Sequence, residues 1–278
     1  MNFTLKQIFG ISFKFLRLNC AKMLPYMLIY FVLNEALTVS LYFITTSGAV
    51  QNIMQQAAAD PNVLTATVTA DQAQQAGQVT LLMSVALVFS LLWLFVIPRI
   101  NLASLIYTKR EFDGERLSFS QAMGCTYGKF LRYVGYLLLI FLVTIPGYTF
   151  VAPDSPPWFG IITTIYIFFV NTLFCLVAPL IALEGRPRAV IPQAIRMVSG
   201  FFPQTVVLML IFAGYGVLAL AGTVLDAVFA ADSAAALLCD SAVNFCTAVI
   251  LPLGAAVQVL IYTRQTHIQN PNISEGQQ

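Results

Sequence analysis

Long uninterrupted apolar runs alternate along the chain with short polar connections, and six of the runs are long enough to be membrane-crossing helices. A hydrocarbon core of about 30 Å is crossed by about 20 helical residues. The runs are apolar at consecutive positions rather than at every second one, so a barrel of membrane strands is excluded. The pattern predicts spans over 23–43, 79–108, 133–150, 158–183, 203–225 and 241–263. Thr69 and Gln72 have the spacing of a capping box, which places the start of the second helix near Ala70. That helix would run for about 39 residues, or roughly 58 Å. Its first turns would project beyond the bilayer, and Pro98 would kink it.

The polar connections carry a second pattern, a repeat. Leu105-Ile106-Tyr107-Thr108-Lys109 closes the second span and Leu260-Ile261-Tyr262-Thr263-Arg264 closes the sixth, each after a proline, Pro98 or Pro252. Pro179 lies near the end of the fourth span. Asp113-Gly114 is followed by Gln121-Ala122, Gly128 and Phe130; Glu184-Gly185 is followed by Gln193-Ala194, Gly200 and Phe202. Lys14-Phe15-Leu16-Arg17 recurs as Lys129-Phe130-Leu131-Arg132. Helical spacing puts Phe119, Ala122, Met123, Tyr127, Phe130 and Leu131 on one face, and likewise Val190, Ile191, Ala194, Ile195, Val198, Phe201 and Phe202. Amphipathic helices of this kind lie in the membrane interface. They either contact lipid headgroups or a partner, or simply tuck the connection into the interface. The predicted fold is therefore all-α and integral to the membrane: one domain over 1–278, six spans as three hairpins, each preceded by an interfacial amphipathic helix. It includes a long outer loop over 44–78 and a polar cytoplasmic tail over 265–278.

Composition agrees with this and charge orients it. Apolar types make up 59% of the chain and charged types 9%, against roughly a quarter charged in soluble domains. Thirteen of the 14 Lys and Arg residues lie in the N-terminal segment, the second and fourth connections, or the tail. The loops 44–78, 151–157 and 226–240 contain none; they hold Asp60, Asp71, Asp154, Asp226, Asp232 and Asp240. Basic residues stay on the cytoplasmic side, so both termini are expected there. Lys6, Lys14, Arg17 and Lys22 interrupt the first apolar stretch, and no small-residue cleavage site follows it, so no cleaved signal is expected. Scattered as topology requires, the basic residues offer no surface for nucleic acid.

Enzyme signatures are missing. Cys20, Cys125, Cys175, Cys239 and Cys246 have no metal-binding spacing, and the one histidine, His267, stands in the polar tail. No nucleophile–histidine pair, phosphate-binding glycine loop or cofactor motif is present. The candidate chemistry is an intramembrane polar cluster. Glu35 is expected about 20 Å past Lys22, and Arg99 about 14 Å from Thr108 on the same side. Charged residues at such depths are costly and face protein or water. Glu35 and Arg99 are expected to pair, with Asn34 and Asn101 completing the cluster. Such a cluster either holds a headgroup, an ion or a proton, or fixes helix register. Gly214, Gly216, Ala219 and Gly222 allow close helix approach, within the bundle or in a homodimer.

Two motifs carry a family resemblance. Glu184-Gly185 precedes Ala194-x-Arg196-x-x-x-Gly200-x-Phe202, and a final helix with Pro252 ends in Ile261-Tyr262-x-Arg264. The chain resembles the YciC-like bacterial inner-membrane proteins and, more distantly, the membrane domain attached to some glycerophosphodiester phosphodiesterases. The resemblance covers nearly the whole chain. It implies a six-helix protein of the bacterial inner (plasma) membrane, acting in envelope maintenance without known catalytic residues; the phosphodiesterase domain is absent. The expected function is non-enzymatic, through membrane lipids or a membrane-protein partner and without cofactor. The alternative is a transporter or lipid-translocating protein with a polar site between the first two helices.

Overall fold

The computed structural model describes residues 4–48, 70–149, 157–184, 189–200, 205 and 234–269. Among them there are helices and turns and no strand. The helices are α1 Leu5–Thr46, α2 Ala70–Phe112, α3 Phe119–Gly124, α4 Phe130–Thr149, α5 Pro157–Phe174, α6 Val177–Leu183, α7 Val190–Ser199 and α8 Ala234–Gln269. Leu5–Ile44, Gly77–Phe112, Ile165–Leu183 and Leu237–Thr266 are long and apolar enough to cross a membrane, and Phe130–Pro146 is a shorter apolar helix. Large apolar side chains such as Leu28, Val32, Leu81, Leu87, Leu91 and Phe141 are exposed along them. So large an apolar surface suits lipid and not water. The chain is an all-α, multi-pass membrane protein.

Several boundaries differ from the sequence pattern, each for a local reason. α1 begins at Leu5, some 18 residues before the expected span. A stripe of Ile8, Ser12, Phe15, Asn19, Met23 and Tyr26 is buried along it, with the three- and four-residue steps of one helix face. Ser12 and Asn19 hide that stripe from a hydropathy reading. The Asn19 amide donates to the Phe15 carbonyl at 3.3 Å, so its polarity is met within the helix. The first lead-in is thus continuous with its span. Its start is capped: Thr4 N donates to Gln7 Oε1 at 2.8 Å and Gln7 N to Thr4 Oγ1 at 3.4 Å, a capping box.

α2 is described from Ala70 onward; Thr69 of the expected capping box lies outside the described residues. It continues through Pro98 to Phe112. Its end is a Schellman turn: Glu115 N donates to Arg110 O at 2.8 Å and Gly114 N to Glu111 O at 3.2 Å. Gly114 has φ +79°, the left-handed conformation this motif requires. The expected fourth span is broken into α5 and α6 at Cys175–Leu176. Pro179 explains the break, because its ring clashes with the carbonyl four residues earlier and it has no N–H to donate. α8 is longer than its span at both ends. Positions 234–240 of the expected outer loop and 265–269 of the expected tail are helical. Apart from Thr205, the expected fifth span, with Gly214, Gly216, Ala219 and Gly222, lies outside the described residues.

The chain divides into two compact units. The first comprises Met1–Met27, Pro98–Gly216 and Val249–Gln278. It holds an apolar core built from Ile8, Leu102, Leu105, Ile106, Leu180, Ile181, Val198, Leu260 and Ile261, among others. The repeated Leu-Ile-Tyr motifs are therefore core. α4 packs on α5 and α6, and α7 packs on α5 and α6. α7 buries Val190, Ala194, Met197 and Val198. Met197 takes a place in this face that the apolar pattern did not assign. In the other lead-in, the single face expected from Phe119 to Leu131 is interrupted. Gly128 adopts φ +77° between α3 and α4, so helical periodicity does not carry through. Ala122 and Thr126 turn inward, while Tyr127 and Leu131 are 75% and 73% exposed.

The second unit comprises Leu28–Ile97 and Val217–Ala248. Its buried residues among those described are mostly small: Ser40, Ala86, Thr247 and Ala248, with Ile97. Phe31 meets Phe245 edge to face at 6.0 Å. Polar bonds between its helices, described below, supplement this thin packing.

Candidate functional site

Arg99 lies directly after Pro98 in α2, within an apolar stretch. Its Nε donates to Thr126 Oγ1 at 3.3 Å. Thr126 is fully buried, and its hydroxyl donates onward to the Met123 carbonyl at 2.7 Å. The guanidinium carbon sits 4.7 Å from the centroid of the Tyr127 ring, a cation–π contact. Successive turns place these two residues: Thr126 N bonds Met123 O, Tyr127 N bonds Gly124 O, and Phe130 N bonds Thr126 O. With Gly128 left-handed, the segment sets Thr126 inward and Tyr127 outward. The remaining guanidinium nitrogens of Arg99 have no acceptor among the described residues. A half-buried cation thus keeps open donors beside an exposed aromatic ring, an arrangement suited to an anionic oxygen.

Compared with known proteins, the chain matches no family model, no curated protein and no solved structure.

Lys129 belongs to the same segment. Its Nζ donates to the Ala182 carbonyl at 2.5 Å. That carbonyl is in the last turn of α6, where helical carbonyls lack intrahelical partners and a cation is favoured. Burial pushes the Lys129 ammonium below its ordinary pKa; the neighbouring Cys125 thiol acts in the opposite direction, and Arg110 adds to the lowering.

Two carboxylates join the helix ends in this unit. Glu184, after α6, accepts at Oε1 from Gln193 Nε2 at 2.8 Å and from the Tyr262 hydroxyl at 3.2 Å. Glu111 accepts from Lys22 Nζ at 2.8 Å and from the Tyr107 hydroxyl at 3.4 Å. Tyr107 and Tyr262 stand in the two Leu-Ile-Tyr-Thr segments, and each hydroxyl donates to a glutamate. Lys109 pairs with Asp113, and Arg110 with Glu115 at 2.5 Å, on the exposed rim.

Within its own unit, each member of the expected intramembrane cluster is placed as follows. Asn34 donates to the Tyr30 carbonyl at 2.8 Å and accepts from Trp93 Nε1 at 2.9 Å. Asn101 Oδ1 is buried without a partner among the described residues. Glu35 belongs to the second unit, and there its partners are Ser241 and Asn244. Arg99 belongs to the first, where it meets Thr126 and Tyr127. Ser241, Asn244, Thr126 and Tyr127 were not among the expected site residues. The spacing Ser241-x-x-Asn244 opposite Glu35-x-x-Thr38 was legible as two polar faces, but nothing in the sequence joins the first helix to the last.

Proposed function

We propose that this chain is a non-enzymatic protein of the bacterial inner membrane that binds anionic lipid headgroups from the cytoplasmic side. Arg99 is the residue that engages the phosphate. The supporting observation is its guanidinium, held by Thr126 and Tyr127 while its outer nitrogens keep open donors. Headgroup phosphates present acceptor oxygens matched to a guanidinium. The exposed Tyr127 and Leu131 supply the aromatic and apolar contact expected at an interface. In this reading both termini are cytoplasmic, six spans form three hairpins with interfacial lead-ins, and the YciC-like resemblance points to envelope maintenance, alone or with a membrane-protein partner.

The test is native mass spectrometry of the purified protein titrated with phosphatidylglycerol or phosphatidylethanolamine. Wild type should retain phosphatidylglycerol preferentially, and Arg99→Gln should lose that preference by about tenfold, the order of one charge-assisted contact. Equal retention by the two proteins would overturn the reading.

A second reading, a transporter or lipid-translocating protein, is favoured by the polar bonds of Glu35 within the apolar stretches of α1 and α8.

A further inference from the structure

We infer that Glu35, Thr38, Ser241 and Asn244 form a binding site for a small monovalent cation, sodium being the natural occupant. The inference concerns the second unit alone and does not rest on the lipid reading.

Glu35 and Thr38 are three residues apart on α1, and Ser241 and Asn244 three apart on α8. Such spacing sets each pair on one face of its helix. One carboxylate oxygen of Glu35 accepts from the Ser241 hydroxyl. The other accepts from Asn244 Nδ2 at 3.1 Å, and the same amide donates to Thr38 Oγ1 at 3.0 Å. Four oxygen-bearing side chains thus converge, all half-buried among apolar residues.

The charge is what these contacts leave unanswered. A carboxylate in a membrane segment is costly without a compensating charge. Its partners here are neutral. Over residues 28–97 and 217–248, which make up this unit, the sequence has no Lys or Arg at all. Its charged residues are Glu35, Asp60, Asp71, Asp226, Asp232 and Asp240, so the unit as a whole attracts cations.

The ligand chemistry selects the class of ion. Carboxylate, hydroxyl and amide oxygens suit hard cations. One carboxylate and three neutral side chains balance a single positive charge; a divalent ion would leave an excess charge in a poorly solvating place. Oxygens bind an ion of calcium-like radius at about 2.3–2.6 Å, which puts neighbouring ligands at right angles about 3.3–3.7 Å apart. The present separations of 3.0 and 3.1 Å need only a small expansion to reach that. A half-turn of the Asn244 amide brings Oδ1 inward in place of Nδ2, and the hydroxyls of Thr38 and Ser241 present lone pairs by rotation alone.

The experiment is thermal unfolding of the purified full chain in detergent, in sodium chloride against choline chloride at equal ionic strength and fixed pH. Sodium should give a saturable rise of about 3 °C. Glu35→Gln should abolish the rise, and Arg99→Gln should keep it. Should Glu35→Gln fail to fold, Thr38→Val and Ser241→Ala take its place, each raising the sodium concentration for half-maximal effect severalfold. Equal melting in sodium and choline would overturn the site. So would a sodium effect that survives in Glu35→Gln or leaves the half-maximal concentration unchanged in the other two variants. A stabilisation that depends on acidification and is indifferent to sodium would assign the position to a proton and overturn it too. Failure of the lipid titration at Arg99 would leave all of these outcomes readable.

Discussion

The Tyr262 hydroxyl donates to Glu184 Oε1 at 3.2 Å, linking α8 to the end of α6 across 78 positions of sequence. Gln193 of α7 donates to the same oxygen, so one carboxylate gathers three elements. Hydrogen bonds to a charged group contribute about 1.5–3 kcal/mol. Tyr262→Phe should therefore destabilise the folded chain by about 1–2 kcal/mol, allowing for the half exposure of Glu184. Tyr107→Phe should cost less, because its bond to Glu111 is longer, at 3.4 Å, and Lys22 remains on that carboxylate. Equilibrium unfolding of the two variants in mixed micelles checks the order.

Gly128 separates α3 from α4 with φ +77°, and a Cβ added there would meet nothing within 4 Å. Substitution cost is then conformational alone. Gly128→Ala should lose about 1–2 kcal/mol, and because the turn places Thr126 and Tyr127, it should also weaken lipid retention at Arg99. Gly135, inside α4, has ordinary helical φ and equally open space. Gly135→Ala should be neutral or stabilising by up to about 1 kcal/mol. Thermal shift measurements on the two variants should move in opposite directions.

Burial lowers the pKa of Lys129 in the folded chain below its ordinary value of 10.5. Between the folded value and 10.5, the unfolded chain binds more protons than the folded one. Ionisation therefore opposes folding at lower pH, and the penalty fades as pH rises through this window. Wild type should gain stability relative to Lys129→Met between neutral pH and pH 10.5, measured as a difference in melting temperature. A difference that shrinks with pH would mean that the ammonium contact with the Ala182 carbonyl outweighs burial.

The orientation proposed from the basic residues is testable on a cysteine-free background. A single cysteine at Gln56 should react with an impermeant maleimide added to whole cells, and one at Gln269 only after the membrane is opened. Labelling of both from the same side would refute the proposed topology.

Much of the architecture was written in local pattern. Continuous apolar runs specify helices because a bilayer forces every backbone N–H and C=O to be satisfied within its own segment. The stop of α2 before Gly114 follows from a neighbouring residue, a glycine free to take positive φ. What misled the pattern was equally local. Ser12 and Asn19 disguised the buried stripe that carries α1 back to Leu5, and Pro179 split a run that hydropathy alone reads as one helix. Partners were another matter. Depth along two neighbouring helices suggests Glu35 and Arg99 as a pair, but the sequence gives each residue's height and nothing of its azimuth or of distant helices. Only the tertiary structure turned Arg99 toward Thr126 and Tyr127 and laid Ser241 and Asn244 against Glu35, some 206 and 209 positions away. Secondary structure in a membrane is determined by local composition; side-chain pairing depends on helix rotation and packing, which no single segment encodes.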